Sequence, residues 1–208
     1  DDLAREFTRL FAAAFATTAA LGGLLTFTLI GLYPRFSGFF FGIFAPVMYV
    51  YGAIFLVETA ALYLYYSSWD RLRDRKPLHI GLGLVLVAVG TVIVFIGSSM
   101  SSYMMAPTGV DETGTFVGTT WDALANPLWI PVVIHRLLGN LTFGGFVVGA
   151  YAAVMFLTSR SDADRAHYDW MGYVGNFVGI MALIPLPFAG YYLGREVYSF
   201  SPVMGNNM

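Results

Sequence analysis

Apolar residues run in long blocks along this chain, and charged residues gather in the gaps between them. Leu10–Tyr33 is apolar for about 24 residues, enough for a helix to cross a hydrocarbon layer of ~30 Å. Pro34, Arg35, Ser37 and Gly38 predict a short turn, and Phe44–Tyr66 predicts a second span that tolerates Pro46 near its beginning. Tyr63, Tyr65, Tyr66 and Trp69 collect at its far end as an interfacial belt, ahead of Asp70–Pro77 with three arginines and a lysine. His79–Met100 is the third span, where Gly83, Gly90 and Gly97 recur every seven residues and predict a packing seam. Residues 101–129 hold Asp111, Glu112 and Asp122 but no Lys or Arg, and read as an outer loop. A fourth span at 130–157 is introduced by Trp129 and Pro131. After a polar connector, Ser161–Asp169, with a solvated His167, the fifth covers 170–193, with a kink at Pro185-Leu186-Pro187 and an exit at Gly194-Arg195-Glu196. The pattern predicts an all-α integral membrane protein, one membrane domain over 1–208 built as a bundle of about five transmembrane helices.

Composition agrees and removes alternatives. The 208 residues are 57% hydrophobic and 12% charged, so lipid rather than a soluble globule completes the core. A net charge of −2 without a basic stripe excludes a nucleic-acid partner. With no cysteine there is no disulfide, thiolate metal site or covalent c-type haem attachment. The chain starts at Asp1 without a signal peptide and stops at Asn206-Asn207-Met208 without a terminal element, as a processed or partial chain would. Basic residues alternate between connections: two before the first span, then one, four, none, two and one. The positive-inside rule then places the N-terminus, Asp70–Pro77 and Ser161–Asp169 in the cytoplasm.

Three ionisable residues interrupt the apolar spans, at two places. His135 and Arg136 lie within the fourth, where an ionised side chain costs roughly 3 kcal/mol near the bilayer centre, so both should face protein, a cofactor or the interface. Helical spacing puts His135, Gly139, Thr142, Phe146 and Gly149 on one face. Gly139, one turn below the histidine, leaves room for something flat, such as a porphyrin bound by the imidazole nitrogen. Plain helix packing is the other reading, since Gly145-x-x-x-Gly149 is a small-xxx-small motif. Glu58 falls near mid-membrane in the second span, either as a neutral acid hydrogen-bonded between helices or paired with a cation or a proton path. Met100, Met104 and Met105 read as packing residues.

Glu58-Thr59 followed by Trp69-Asp70-Arg71-Leu72 resembles the third helix and cytoplasmic exit of subunit I of the cytochrome bd-type quinol oxidases. His79 opening the next helix, Met105-Ala106-Pro107 at its outer end, and His135 beginning a glycine-rich helix after a long outer loop extend the resemblance over nearly the whole chain. It implies the second through sixth helices of that subunit, with His135 as an axial ligand of a b-type haem iron, Gly139 and Arg136 beside it, and Glu58 on the proton path. Arg195 and Glu196 would lie on the quinol side. The chain departs from the family at Val50, where a second glutamate serves haem d, at Ala106 in place of an asparagine, and at Gly194-Arg195-Glu196 in place of a glycine–aspartate exit.

The expectation is therefore a haem-b-bearing electron-transfer subunit in a prokaryotic inner membrane, without a haem d site of its own. It would pass electrons between quinol and a partner redox centre such as a periplasmic cytochrome, among other membrane subunits of a respiratory complex and lipid. A cofactor-free scaffold subunit of such a complex is the alternative.

Overall fold

The computed structural model describes residues 2–201, so the closing Asn206-Asn207-Met208 lies outside the described residues. Those residues form seven helices and no strand beyond one isolated bridge, Val110 to Phe116. They are α1 (Asp2–Leu32), α2 (Pro34–Ser67), α3 (Lys76–Tyr103), α4 (Thr120–Leu124), α5 (Trp129–Thr158), α6 (Asp162–Leu183) and α7 (Leu186–Phe200). Five segments are long and apolar enough to cross a membrane: α1, α2, α3, α5, and α6 with α7 taken together. The chain divides into two compact units, residues 1–100 with 107–125, and residues 101–106 with 126–208.

In the first unit, α1 and α2 form an antiparallel hairpin. Arg5 pairs with Asp70, Phe15 stacks on Phe55 with centroids 5.5 Å apart, and the Ser37 hydroxyl donates to the Leu29 carbonyl at 3.3 Å. The turn expected at Pro34–Gly38 is instead the first turn of α2, and Tyr33 alone joins the two helices. Proline is well suited to that position, because a first-turn residue needs no N–H and its fixed φ is already helical. Threonines survive within α1 because Thr8, Thr17, Thr18, Thr26 and Thr28 each donate to the carbonyl one turn back, at 2.8–2.9 Å. Ala61, Leu62 and Leu86 form a small core between α2 and α3, with Ala12, Phe15 and Tyr65 against it.

The glycines of α3 form the expected seam in a particular way. A Cβ on Gly83 would stand 3.1 Å from the Tyr65 ring, on Gly90 2.8 Å from Glu58 Oε1, and on Gly97 3.5 Å from Tyr51. Each seven-residue step along α3 therefore meets a seven-residue step back along α2, and each glycine accepts a large side chain. At the Lys76 end, His79 Nε2 donates to the Tyr65 carbonyl at 3.0 Å, and its ring stacks on Tyr65 with centroids 4.4 Å apart.

The loop after α3 holds itself together. Gly109 and Gly114 take positive φ (72° and 81°), and a Cβ on Gly109 would press on the backbone of Gly118 at 3.1 Å. Thr119 and Asp122 cap α4 reciprocally, Thr120 donates to the Ile43 carbonyl at 2.9 Å, and Ser99 donates to the Leu124 carbonyl at 2.5 Å.

In the second unit, α5 and α6 pack backbone to backbone. A Cβ on Gly145 would lie 2.5 Å from the Gly179 nitrogen and 2.6 Å from the Gly175 oxygen, while one on Gly149 would strike the Asn176 carboxamide. The Ser161–Asp169 connector is helical from Asp162, because the Ser161 hydroxyl accepts from the Asp164 amide at 3.0 Å and caps α6. His167 is consequently half-buried within a helix, its ring edge-on to Tyr168, and not a solvated loop residue. The kink appears where expected, at Ile184-Pro185, and α7 continues through Gly194-Arg195-Glu196 to Phe200.

Candidate functional site

In the second unit, α5 and α7 run antiparallel and hold His135 between them. Leu128 and Val132 of α5 pack with Val197 and Leu193 of α7, and with Ala106 and Met105, above the histidine. His135 itself is half-buried, with its imidazole edge on Gly190, where a Cβ would stand 3.4 Å from Cε1 and 3.6 Å from Nδ1. Nδ1 is buried without a hydrogen-bond partner. Such an atom costs free energy in an apolar surrounding unless something satisfies it or the ring serves another purpose. No hydrogen bond engages Nε2 among the described residues, so that nitrogen remains available as a ligand.

Below His135 the predicted common face divides. Nothing lies within 4 Å of the place a Gly139 Cβ would occupy, so the space beside Gly139, one turn from His135, is open. Thr142 is buried and returns its hydroxyl to the Leu138 carbonyl at 2.9 Å. Beyond it α6 covers the face: Phe146 stands against Gly179, and Gly149 against Asn176. Open space on this face is confined to Gly139, whereas Gly145 and Gly149 serve helix packing as the motif suggests. Packing therefore accounts for the Gly145 and Gly149 turns of this helix.

Arg136 is exposed beside the histidine. The same antiparallel pairing carries Arg195, exposed, and Glu196, half-buried, toward the Trp129 end of α5, the end that holds His135. Gly190 and Asn176 were not distinguishable in the sequence. Each acts through a partner on another helix, and the only local signal was Gly190 recurring on the face of α7 that also carries Val197.

Glu58 belongs to the first unit. Its carboxyl is half-buried and reaches the backbone of α3 at Gly90, with no hydrogen bond or ion pair among the described residues. Val50 is a 54% exposed aliphatic residue, so no carboxylate stands two turns before Glu58. Among the described residues no cluster of three or more His, Asp or Glu side chains could hold a bare metal ion. In the loop, the Thr113 hydroxyl and the amides of Thr115 and Thr113 hold the Asp111 carboxyl below the usual carboxylate range. Thr119, through its hydroxyl and then its amide, does the same for Asp122.

Against known proteins, the family model described as "Cytochrome bd terminal oxidase subunit I" matches residues 1–205. No curated protein matches the chain. No solved structure does either.

Proposed function

This chain belongs to the cytochrome bd terminal oxidase subunit I family, a membrane family of haem-binding, quinol-oxidase-related electron transfer, and from that premise we propose that it is a haem-b-bearing electron-transfer subunit without a haem d site of its own. The observation that carries the reading is His135, an intramembrane imidazole with a buried, unpartnered Nδ1 and open space at Gly139 one turn away. A b-type haem held there would supply a one-electron carrier.

In this reading His135 would hold the haem through Nε2 of the neutral imidazole, with the ring's proton on Nδ1 beside Gly190. Gly139 keeps the space one turn from the ring clear, and Arg136 is placed to pair with an acidic group of the cofactor. Arg195 and Glu196, at the same end of α5 and α7, lie on the quinol side and can exchange hydrogen bonds with a quinol hydroxyl. Glu58 holds and releases a proton within the membrane, with the notch at Gly90 giving its carboxyl room. Support for the missing haem d site comes from Val50, which cannot ligate or take up a proton. The distribution of basic residues supports a cytoplasmic N-terminus in a prokaryotic inner membrane, with other respiratory subunits, quinol and an acceptor such as a periplasmic cytochrome as partners.

The test is a dithionite-reduced minus air-oxidised visible spectrum of the purified protein with its natural partners, repeated for His135→Ala. The expected result is b-type bands without a far-red haem d band, lost in the variant while the helical circular dichroism is unchanged. A far-red band that survives the same purification overturns the missing haem d site, and no haem in the parent leaves the scaffold reading in its place.

A further inference from the structure

A second site lies at the opposite chemical extreme from His135, where α1 begins and α2 turns into α3. Arg5, Trp69, Asp70, Arg73, Lys76 and His79 line a cleft of about 210 Å³. Three cationic side chains face one carboxylate there, so the cleft carries an excess of positive charge. On one wall Arg5 pairs with Asp70 through both terminal nitrogens, at 3.2 and 3.0 Å, which links the start of α1 to the turn after α2. The floor is more firmly held. His79 is committed to the Tyr65 carbonyl, sandwiched face-on by Tyr65 and edge-on by Trp69 with centroids 4.4 and 4.5 Å away. Arg73, by contrast, has no hydrogen bond or ion pair among the described residues, although it lines the same cleft.

The amides of α3 do not explain the charge. Leu78 and His79 already give their N–H groups to the Arg75 carbonyl, and Pro77 has none to give. The cleft has a further asymmetry. Ile80 and Leu72 complete its lining, and Ile80 and Leu84 are 62% and 65% exposed on a helix that crosses the membrane, so the polar cleft opens directly onto a lipid-facing apolar strip. A soluble anion uses only the first feature; an amphiphile uses both.

We propose that this cleft binds the phosphodiester of an anionic phospholipid, with Arg73 contacting the phosphate beside the Arg5–Asp70 pair and the acyl chains lying along Ile80 and Leu84. An interfacial indole and a basic residue near the membrane surface, worth about five-fold in affinity for an anionic lipid, are suited to that headgroup. The site is independent of the haem reading, since none of its residues touches His135 or Glu58.

The full chain with its natural partners, delipidated in a neutral detergent, is titrated with dioleoylphosphatidylglycerol, dioleoylphosphatidylcholine or inorganic phosphate. Thermal midpoint and lipid adducts in native mass spectrometry are followed. Phosphatidylglycerol is expected to raise the midpoint saturably and to survive as a stoichiometric adduct. Arg73→Gln should weaken its apparent affinity about five-fold, while Arg35→Gln, an exposed arginine outside the cleft, should leave it unchanged. Equal protection by phosphatidylcholine overturns the anion site, equal protection by inorganic phosphate overturns the lipid as its occupant, and an Arg73→Gln protein that binds like the parent overturns this cleft as the location.

Discussion

The two units use glycine in opposite ways. In the second, Gly145 and Gly149 on α5 and Gly175 and Gly179 on α6 recur every four residues and bring two backbones into contact. In the first, Gly83, Gly90 and Gly97 on α3 recur every seven residues and receive Tyr65, Glu58 and Tyr51 from α2. A four-residue repeat places glycines on adjacent turns and makes a continuous groove; a seven-residue repeat leaves a full turn of larger residues between them and makes separate notches. The groove fixes a helix pair. The notches fix individual side chains, and one of them is the intramembrane carboxyl.

That contrast should appear first in stability. Gly145→Ala places a Cβ against the Gly179 and Gly175 backbone, which cannot move aside, and is expected to cost about 3 kcal/mol, read as a lower midpoint in denaturation of the purified protein. Gly90→Ala meets only the end of the Glu58 side chain, which can rotate away, so the expected cost is about 1 kcal/mol. The same change should be less costly still in a Glu58→Ala background, and a double-mutant cycle that shows no coupling would dissolve the notch. Gly97→Ala brings a Cβ into ordinary contact with Tyr51 and should lie within about 0.5 kcal/mol of the parent, or above it through better helix propensity. Measured costs that do not fall in the order 145, 90, 97 would break the distinction.

The smallest effect belongs to the loop that neither pattern of glycines governs. Asp111 and Asp122 are held below the usual carboxylate range by threonine hydroxyls and amides, so their contribution is present above the unfolded value near 4 and is lost as pH falls through the folded one. Hydrogen-exchange protection factors, taken relative to the intrinsic rate at each pH, should fall across residues 108–124 on acidification below about pH 4 while those of α5 and α6 hold.

The spans were legible because length and hydropathy are local, and so was His135, a polar ring in an apolar run. The seven-residue seam was legible as a seam, but its partners were not: nothing local says that Glu58 and not Thr59 fills the notch at Gly90. Pro34 read as a turn because proline near Arg, Ser and Gly signals one, although the same residue is favourable in a helix's first turn. Ser161-Asp162-Ala163-Asp164 did carry a capping signal, weakened by the polar residues after it, which resemble a connector until Met171, fully buried, turns the helix inward. Gly190 and Asn176 were invisible for a different reason. Their meaning lies in a residue tens of positions away, and only packing reveals which side chain each one meets.

The single-residue joint at Tyr33 bears on how the chain is made. Two membrane helices linked by one residue have almost no loop entropy to lose, so α1 and α2 are the pair that can close at the least conformational cost. They would leave the insertion machinery together, as a preformed hairpin, and present α3 with a finished surface carrying Tyr65, Glu58 and Tyr51 before that helix joins them. Biogenesis of the first unit then amounts to laying one helix onto a template already standing in the bilayer.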